Sequence, residues 1–160
     1  MENRMSDLTV KLKWDGGFRF TGVNAGGIET VIDGDKQSGA SPVELLLEAL
    51  GACTSVDVVS ILEKMRTPAA KFEVTLEADR NRTEPRYLTA ARMLFDVWGE
   101  GIAPDKLVRA INLSISKYCS VYHSLRDDLK LQPLFRIHAP GAEASGDYQV
   151  VEMAQPTSEL

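Results

Sequence analysis

Ser41-Pro42-Val43-Glu44-Leu45-Leu46-Leu47-Glu48-Ala49-Leu50-Gly51-Ala52-Cys53-Thr54-Ser55-Val56-Asp57-Val58-Val59-Ser60-Ile61-Leu62 is the stretch on which the fold turns. It opens with a helix start. Ser41 can accept from backbone N–H groups of the first turn, Pro42 suits the first helical position, and Glu44 can reach back to complete a capping box. The helix is predicted to run to about Met65 or Arg66, where Thr67-Pro68 stops it. That makes it about 35 Å long. From Val43 to Leu62 it is apolar on most of its circumference, which predicts burial on several sides. A chain of 160 residues rarely encloses such a helix alone. Pairing it with its copy in a second subunit would cover the surplus, so a two-fold, isologous homodimer is expected.

Strands flank this helix. Upstream, Leu8, Val10, Leu12 and Trp14 alternate with Thr9, Lys11 and Lys13, a period of two. Asp15-Gly16-Gly17 is a turn signal, and a second alternating run starts at Phe18 and Phe20, which together predict a hairpin. Ile28 to Ile32 is a third strand. Downstream, Phe72 to Ala78 and Tyr87 to Trp98 read as two more, with Met93, Phe95 and Val97 on one face. A second helix is predicted from Pro104, with Asp105 in its first turn and a stripe of Leu107, Ile111, Ile115, Tyr118, Cys119, Tyr122 and Leu125. Leu131 to His138 is a last strand. The tail from Pro140 is rich in Gly, Ser and acidic residues and shows no period before Tyr148 to Met153. The order βββ-α-ββ-α-β predicts an α+β fold in a single domain, residues 1–160, with a core at about 8–139 and a C-terminal extension at 140–160.

Several functions are disfavoured by composition. A net charge of −5 with 26% charged residues carries no basic footprint for nucleic acid. Glu44, Glu48 and Asp57 inside the apolar stretch argue against a membrane span, and no run near Met1 resembles a signal peptide. A cytoplasmic location is therefore expected. Two cysteines and two histidines (His123, His138) show no metal-ligand spacing. No phosphate loop or dinucleotide fingerprint appears, so no cofactor is expected.

Cys53 and Cys119 are the chemical candidates. A structural disulfide is a poor default in a reducing compartment. Both sit on apolar helical stripes, where a free cysteine commonly packs as a small inert hydrophobe. The alternative is a redox pair, in which one thiolate attacks an O–O bond, becomes a sulfenic acid and condenses with the second thiol. That chemistry needs an ionisable attacking thiol and a partner within disulfide reach.

Ser41-Pro42-Val43-Glu44-Leu45-Leu46, followed by Ala49-Leu50-Gly51-Ala52-Cys53, resembles the helix-start and cysteine motif of the OsmC/Ohr family, named for osmotic induction and organic hydroperoxide resistance. Cys119-Ser120-Val121 resembles that family's second cysteine motif. Element order and cysteine separation agree over about residues 8–139. The resemblance implies two long central helices wrapped by antiparallel sheet in an intertwined homodimer. It implies a thiol-dependent peroxidase that reduces organic hydroperoxides, with Cys53 as nucleophile, Cys119 as resolving thiol and an external dithiol as reductant. No cofactor beyond that dithiol is implied.

Two positions depart from the family pattern. The Glu that usually follows the helix-starting Pro is Val43 here, and Glu44 stands one place later, turned by about 100°. Ten positions of helix rise, about 15 Å, separate Val43 from Cys53. The activating Arg that usually follows Gly-Gly is displaced by Phe18 to Arg19. Arg19 is the candidate for lowering the thiol pKa and Glu44 the candidate acid. This Val43-Glu44 variant is similar to the YhfA-like branch of the family. Asp57, four residues after Cys53 on the same face, would raise a thiol pKa unless screened. His123, four after Cys119, is a candidate base or an exposed surface residue. Trp14 and Trp98 are expected in the core, at a dimer contact or walling a pocket. Leu46, Leu50 and Val56 are expected to line an apolar site around Cys53 that favours fatty or aromatic hydroperoxides. The alternatives to a peroxidase are a degenerate relative that binds a small apolar ligand or partner, and a thiol redox sensor.

Overall fold

Alternation at the N-terminal end produces a three-stranded antiparallel sheet in the order β1-β2-β3: β1 (Val10–Gly16), β2 (Arg19–Asn24) and β3 (Glu29–Asp33). The β1–β2 turn uses Gly16 and Gly17 at φ 101° and 55°, a left-handed backbone that glycine adopts without strain. Register pairs Trp14 with Phe20 and Phe20 with Ile32, so these apolar side chains share one face. The computed structural model describes residues 6–153 and divides between Leu47 and Glu48 into two units, the first holding this sheet.

The loop after β3 is organised by one carboxylate. Asp33 accepts from the N–H groups of Asp35, Gln37 and Ser38 and from the Ser38 hydroxyl. Those bonds, the Asp35 N–H first, hold its carboxyl below the usual range despite burial. Gly39 is required at the loop's end, because a Cβ there would lie 2.5 Å from the Val31 carbonyl oxygen. Ser41 and Glu44 then form the expected capping box. The Glu44 carboxylate accepts from the Ser41 N–H at 2.8 Å and hydroxyl at 2.7 Å, and Glu44 N–H donates to Ser41 Oγ at 3.4 Å.

Helix α1 (Pro42–Lys64) comes next. It ends where Arg66 takes φ 59° and the Thr67 N–H bonds back to Leu62 O. Its buried residues are Leu50, Gly51, Thr54, Val58 and Leu62, one stripe at helical spacing. Ala52 and Val56, off that stripe, are exposed in the single chain.

The second unit carries a four-stranded sheet in the order β4-β5-β6-β7. β4 (Lys71–Arg80) and β5 (Leu88–Trp98) pair antiparallel, as expected. β6 (Lys130–His138) joins β5 in parallel, where an antiparallel sheet was expected. The physical reason is the connection. The chain leaves β5, crosses through helix and returns to the starting end, which is a crossover and not a hairpin. β7 (Gln149–Val150), which the extension contributes, closes the sheet antiparallel to β6.

Met93, Phe95 and Val97 of β5 are fully buried, together with Leu50, Val58 and Leu62 of α1 and Leu107, Ile111 and Ile115 from the second helical segment. Gly51 permits the close approach of β4, since a Cβ there would meet Leu76 Cδ1 at 2.4 Å. The opposite face of β5 carries Asp96 and Trp98, both buried. Its cover is the segment after His138: Trp98 Nε1 donates to Ala142 O at 2.7 Å, and Val151 is buried.

A long second helix is the other expectation that needs correction. α2 (Pro104–Leu113) has 10 residues. The chain then makes a π-helical turn, Ser114–Tyr118, and a 3-10 turn, Tyr122–Ser124. The expected stripe therefore loses its helical spacing after Ile115: Tyr118 is exposed, while Cys119 is buried and Tyr122 and Leu125 pack against the core. The i→i+5 bond from Cys119 N–H to Ser114 O absorbs an extra residue and re-aims the chain beyond Cys119.

Candidate thiol site

Cys53 lies in the middle of α1 and is half-buried; Cys119 caps the π turn in extended backbone, φ −69° and ψ 96°, and is fully buried. Both are free thiols. The π turn is what brings Cys119 to α1. Its opening residue, Ser114, donates from Oγ to Asp57 Oδ2 at 2.8 Å and lies 3.5 Å from Thr54 O. Its closing residue, Cys119, receives the Thr54 hydroxyl at 3.4 Å and the Tyr122 N–H at 3.4 Å on its sulfur. Two side chains of α1, Thr54 and Asp57, thus grip both ends of the turn.

Burial pushes the Cys119 thiol above its ordinary value, and the Thr54 and Tyr122 donors pull the other way. The Cys53 thiol is near enough to add to the upward push, through a hydrogen bond and through charge repulsion. Burial thus disfavours the Cys119 thiolate, and the two donors are what oppose that effect.

The remaining sequence candidates fall elsewhere. Arg19 is the first residue of β2 and is exposed. Glu44 is occupied as a helix cap and forms a 2.8 Å ion pair with Lys36. The Lys36 bond first, then the Ser41 N–H and hydroxyl, hold its carboxyl at about 2. Among the described residues no carboxylate pairs with Arg19, so the two candidates are not joined to each other. Asp57 is bonded to Ser114 and His123 is exposed. Of the apolar residues expected around Cys53, Leu50 is in the core, while Leu46 and Val56 are exposed. Trp98 is buried as expected for a core residue, and Trp14 is 66% exposed.

Sequence reasoning missed a second polar centre. Asp96 accepts Arg136 Nε at 2.8 Å and Nη2 at 3.1 Å, takes the Tyr148 hydroxyl at 2.5 Å and lies 2.7 Å from His138 Nε2. Burial raises its carboxyl, but the Arg136, Tyr148 and His138 bonds outweigh burial and hold it at about 2. The guanidinium of Arg136 also stacks 3.9 Å over the Tyr148 ring and donates to Gly146 O. An aspartate inside an apolar strand was the available signal. Its partners are 40 and more residues away in sequence, which hides them from any local pattern.

Fold and thiols together define a two-cysteine α+β protein with one sulfur on a central helix and the other at a π turn. The chain belongs to the OsmC-like family: the family model for OsmC-like protein matches residues 34–133. It is similar to Protein YhfA of Escherichia coli K12, with 38% identity over 115 residues, 71% of this chain and 86% of that one. Among solved structures, a protein from Aquifex aeolicus VF5 matches with TM-score 0.76 at 26% identity, covering 84% of this chain and 98% of the other. The organic hydroperoxide resistance protein OhrB of Bacillus subtilis matches with TM-score 0.57 at 12% identity, covering 81% and 97%, a likeness of fold alone.

Proposed function

We propose that this protein is a thiol-dependent peroxidase that reduces organic hydroperoxides. The observation that carries the reading is that the buried Cys119 sulfur takes the hydroxyl of Thr54, the residue next to the half-buried Cys53 on α1. The Cys53 thiolate attacks the terminal oxygen of the hydroperoxide. The O–O bond breaks, the alcohol leaves with a proton, and Cys53 becomes a sulfenic acid. The Cys119 sulfur then displaces water from Cys53 and forms the disulfide. An external dithiol reduces that bond and is itself oxidised to a disulfide, so each turnover converts hydroperoxide and dithiol into alcohol, water and disulfide. Arg19 is the proposed activating cation, and the reaction belongs to the reducing cytoplasm.

The working unit in this reading is a homodimer. Support comes from the first sheet, where Leu12 is 59% and Trp14 66% exposed on the face they share with Phe20, and from the exposed side of α1. Apolar surface of this extent on a soluble chain marks an interface. A redox sensor is the second reading, favoured by the Glu44 carboxylate being committed to Ser41 and Lys36 and not to a thiol.

The test is turnover of cumene hydroperoxide with dithiothreitol by wild type, Cys53→Ser and Cys119→Ser. Loss of turnover in Cys53→Ser is the expected result. Wild type without turnover, its thiols still titratable afterwards, removes the peroxidase reading. A disulfide formed without turnover selects the sensor.

A further inference from the structure

We propose that Thr54 and the Tyr122 N–H hold the Cys119 sulfur as the departing thiolate when an external thiol opens a Cys53–Cys119 disulfide, so that reductant always enters at Cys53. The inference rests on the pairing in the reading above and adds to it the direction of reduction.

Two donors converge on one buried sulfur, the Thr54 hydroxyl and the Tyr122 N–H, each at 3.4 Å. A neutral thiol is a weak acceptor, and two donors on it match an anion better. The donors are fixed in place. Thr54 is fully buried on α1, and the Tyr122 N–H belongs to the 3-10 turn that succeeds the π turn. Ser114 ties the π turn to α1 through Asp57, so the distance from Thr54 to Cys119 is set by helix and turn together. Access points the same way. Cys119 is wholly covered, and Cys53 is partly open. Attack on a disulfide needs a line of approach to one sulfur and a stabilised leaving group at the other. Cys53 offers the first and Cys119 the second.

In the step itself, the thiolate of the reductant forms a bond to Cys53 Sγ while the Cys53–Cys119 bond breaks. The electron pair of that bond goes to Cys119 Sγ, where the two donors receive it. A second thiol of the same reductant then attacks the reductant sulfur of the mixed disulfide. The reductant leaves as a disulfide, and Cys53 is released as thiolate.

The test forms the disulfide with diamide, which needs no peroxidase activity, and opens it with glutathione. Rapid acid quench and peptide mapping then locate the mixed disulfide. It is expected on Cys53. The rate of opening is expected to fall about tenfold in Thr54→Val, which keeps the shape but lacks the hydroxyl, and to recover in Thr54→Ser. Glutathione found on Cys119, or an opening rate in Thr54→Val equal to wild type, overturns the inference and leaves the peroxidase reading standing. Failure of diamide to link the cysteines overturns both. Cys53 adducts and a slow Thr54→Val without hydroperoxide turnover support the inference and remove only the peroxidase. Mapping on wild type needs no variant, so it decides even if Thr54→Val fails to fold.

Discussion

The two sheets are built from the same alternating pattern and end in opposite conditions. In the second, Met93, Phe95 and Val97 are wholly buried, and the reverse face of β5 is closed by Asp96, Trp98 and the chain beyond His138. In the first, Leu12, Trp14 and Val10 stay more than half exposed, while the polar loop after β3 is tightly bonded through Asp33. One sheet completes its core within its own unit. The other is locally well formed but leaves an apolar face bare. Alternation thus predicts a strand and its two faces, and says nothing about what covers the apolar one.

The largest expected effect breaks the first sheet's share of this contrast. Replacing Leu12 and Trp14 with Asp should convert a dimer to monomer, weakening association about a thousandfold, since each buried side chain of this kind contributes roughly 1.5–3 kcal/mol. Sedimentation equilibrium would show it. A dimer that survives the double substitution removes that face from the interface.

Next comes the polar closure of the second sheet. Asp96→Asn leaves Arg136 without its carboxylate and should cost about 3 kcal/mol, read as a lower midpoint in urea. The pH dependence has a definite sign. The Asp96 carboxyl is held at about 2 in the folded chain, below its ordinary value of 3.8. Its contribution is therefore complete above about pH 4 and is lost as pH falls towards and through about 2. Asp96→Asn should flatten the stability profile in that window, and an unchanged acid limb would contradict the assignment.

A smaller effect sharpens the account of the first unit. Gly39→Ala drives a methyl group against the Val31 carbonyl and should destabilise the chain by about 2 kcal/mol, with faster amide exchange at Gln37 and Ser38. Smallest is Tyr148→Phe, which removes one hydroxyl from the Asp96 cluster. It should cost about 1 kcal/mol in the same urea titration. No loss would show that the extension is held by Trp98 and Val151 instead.

How much was legible depends on how local each feature is. The capping box, the β1–β2 hairpin and the buried face of β5 depend on neighbours within a few residues, so periodicity and turn chemistry predict them. The parallel pairing of β6 depends on how a crossover returns, which no strand pattern encodes. The early end of α2 had no signal either: apolar spacing continues to Leu125, and the π turn at Ser114 is stabilised by Asp57, 57 positions upstream. For the same reason no local pattern marks Thr54 as a partner of Cys119, while both cysteines stand out by residue type alone.

The central claim is that Cys53 and Cys119 act as one redox pair. The most direct measurement adds one equivalent of cumene hydroperoxide to the fully reduced protein, then counts free thiols and maps peptides by mass spectrometry. The account predicts the loss of both thiols and an intrachain bond between Cys53 and Cys119. Both thiols intact, or Cys53 overoxidised beside an untouched Cys119, would contradict it.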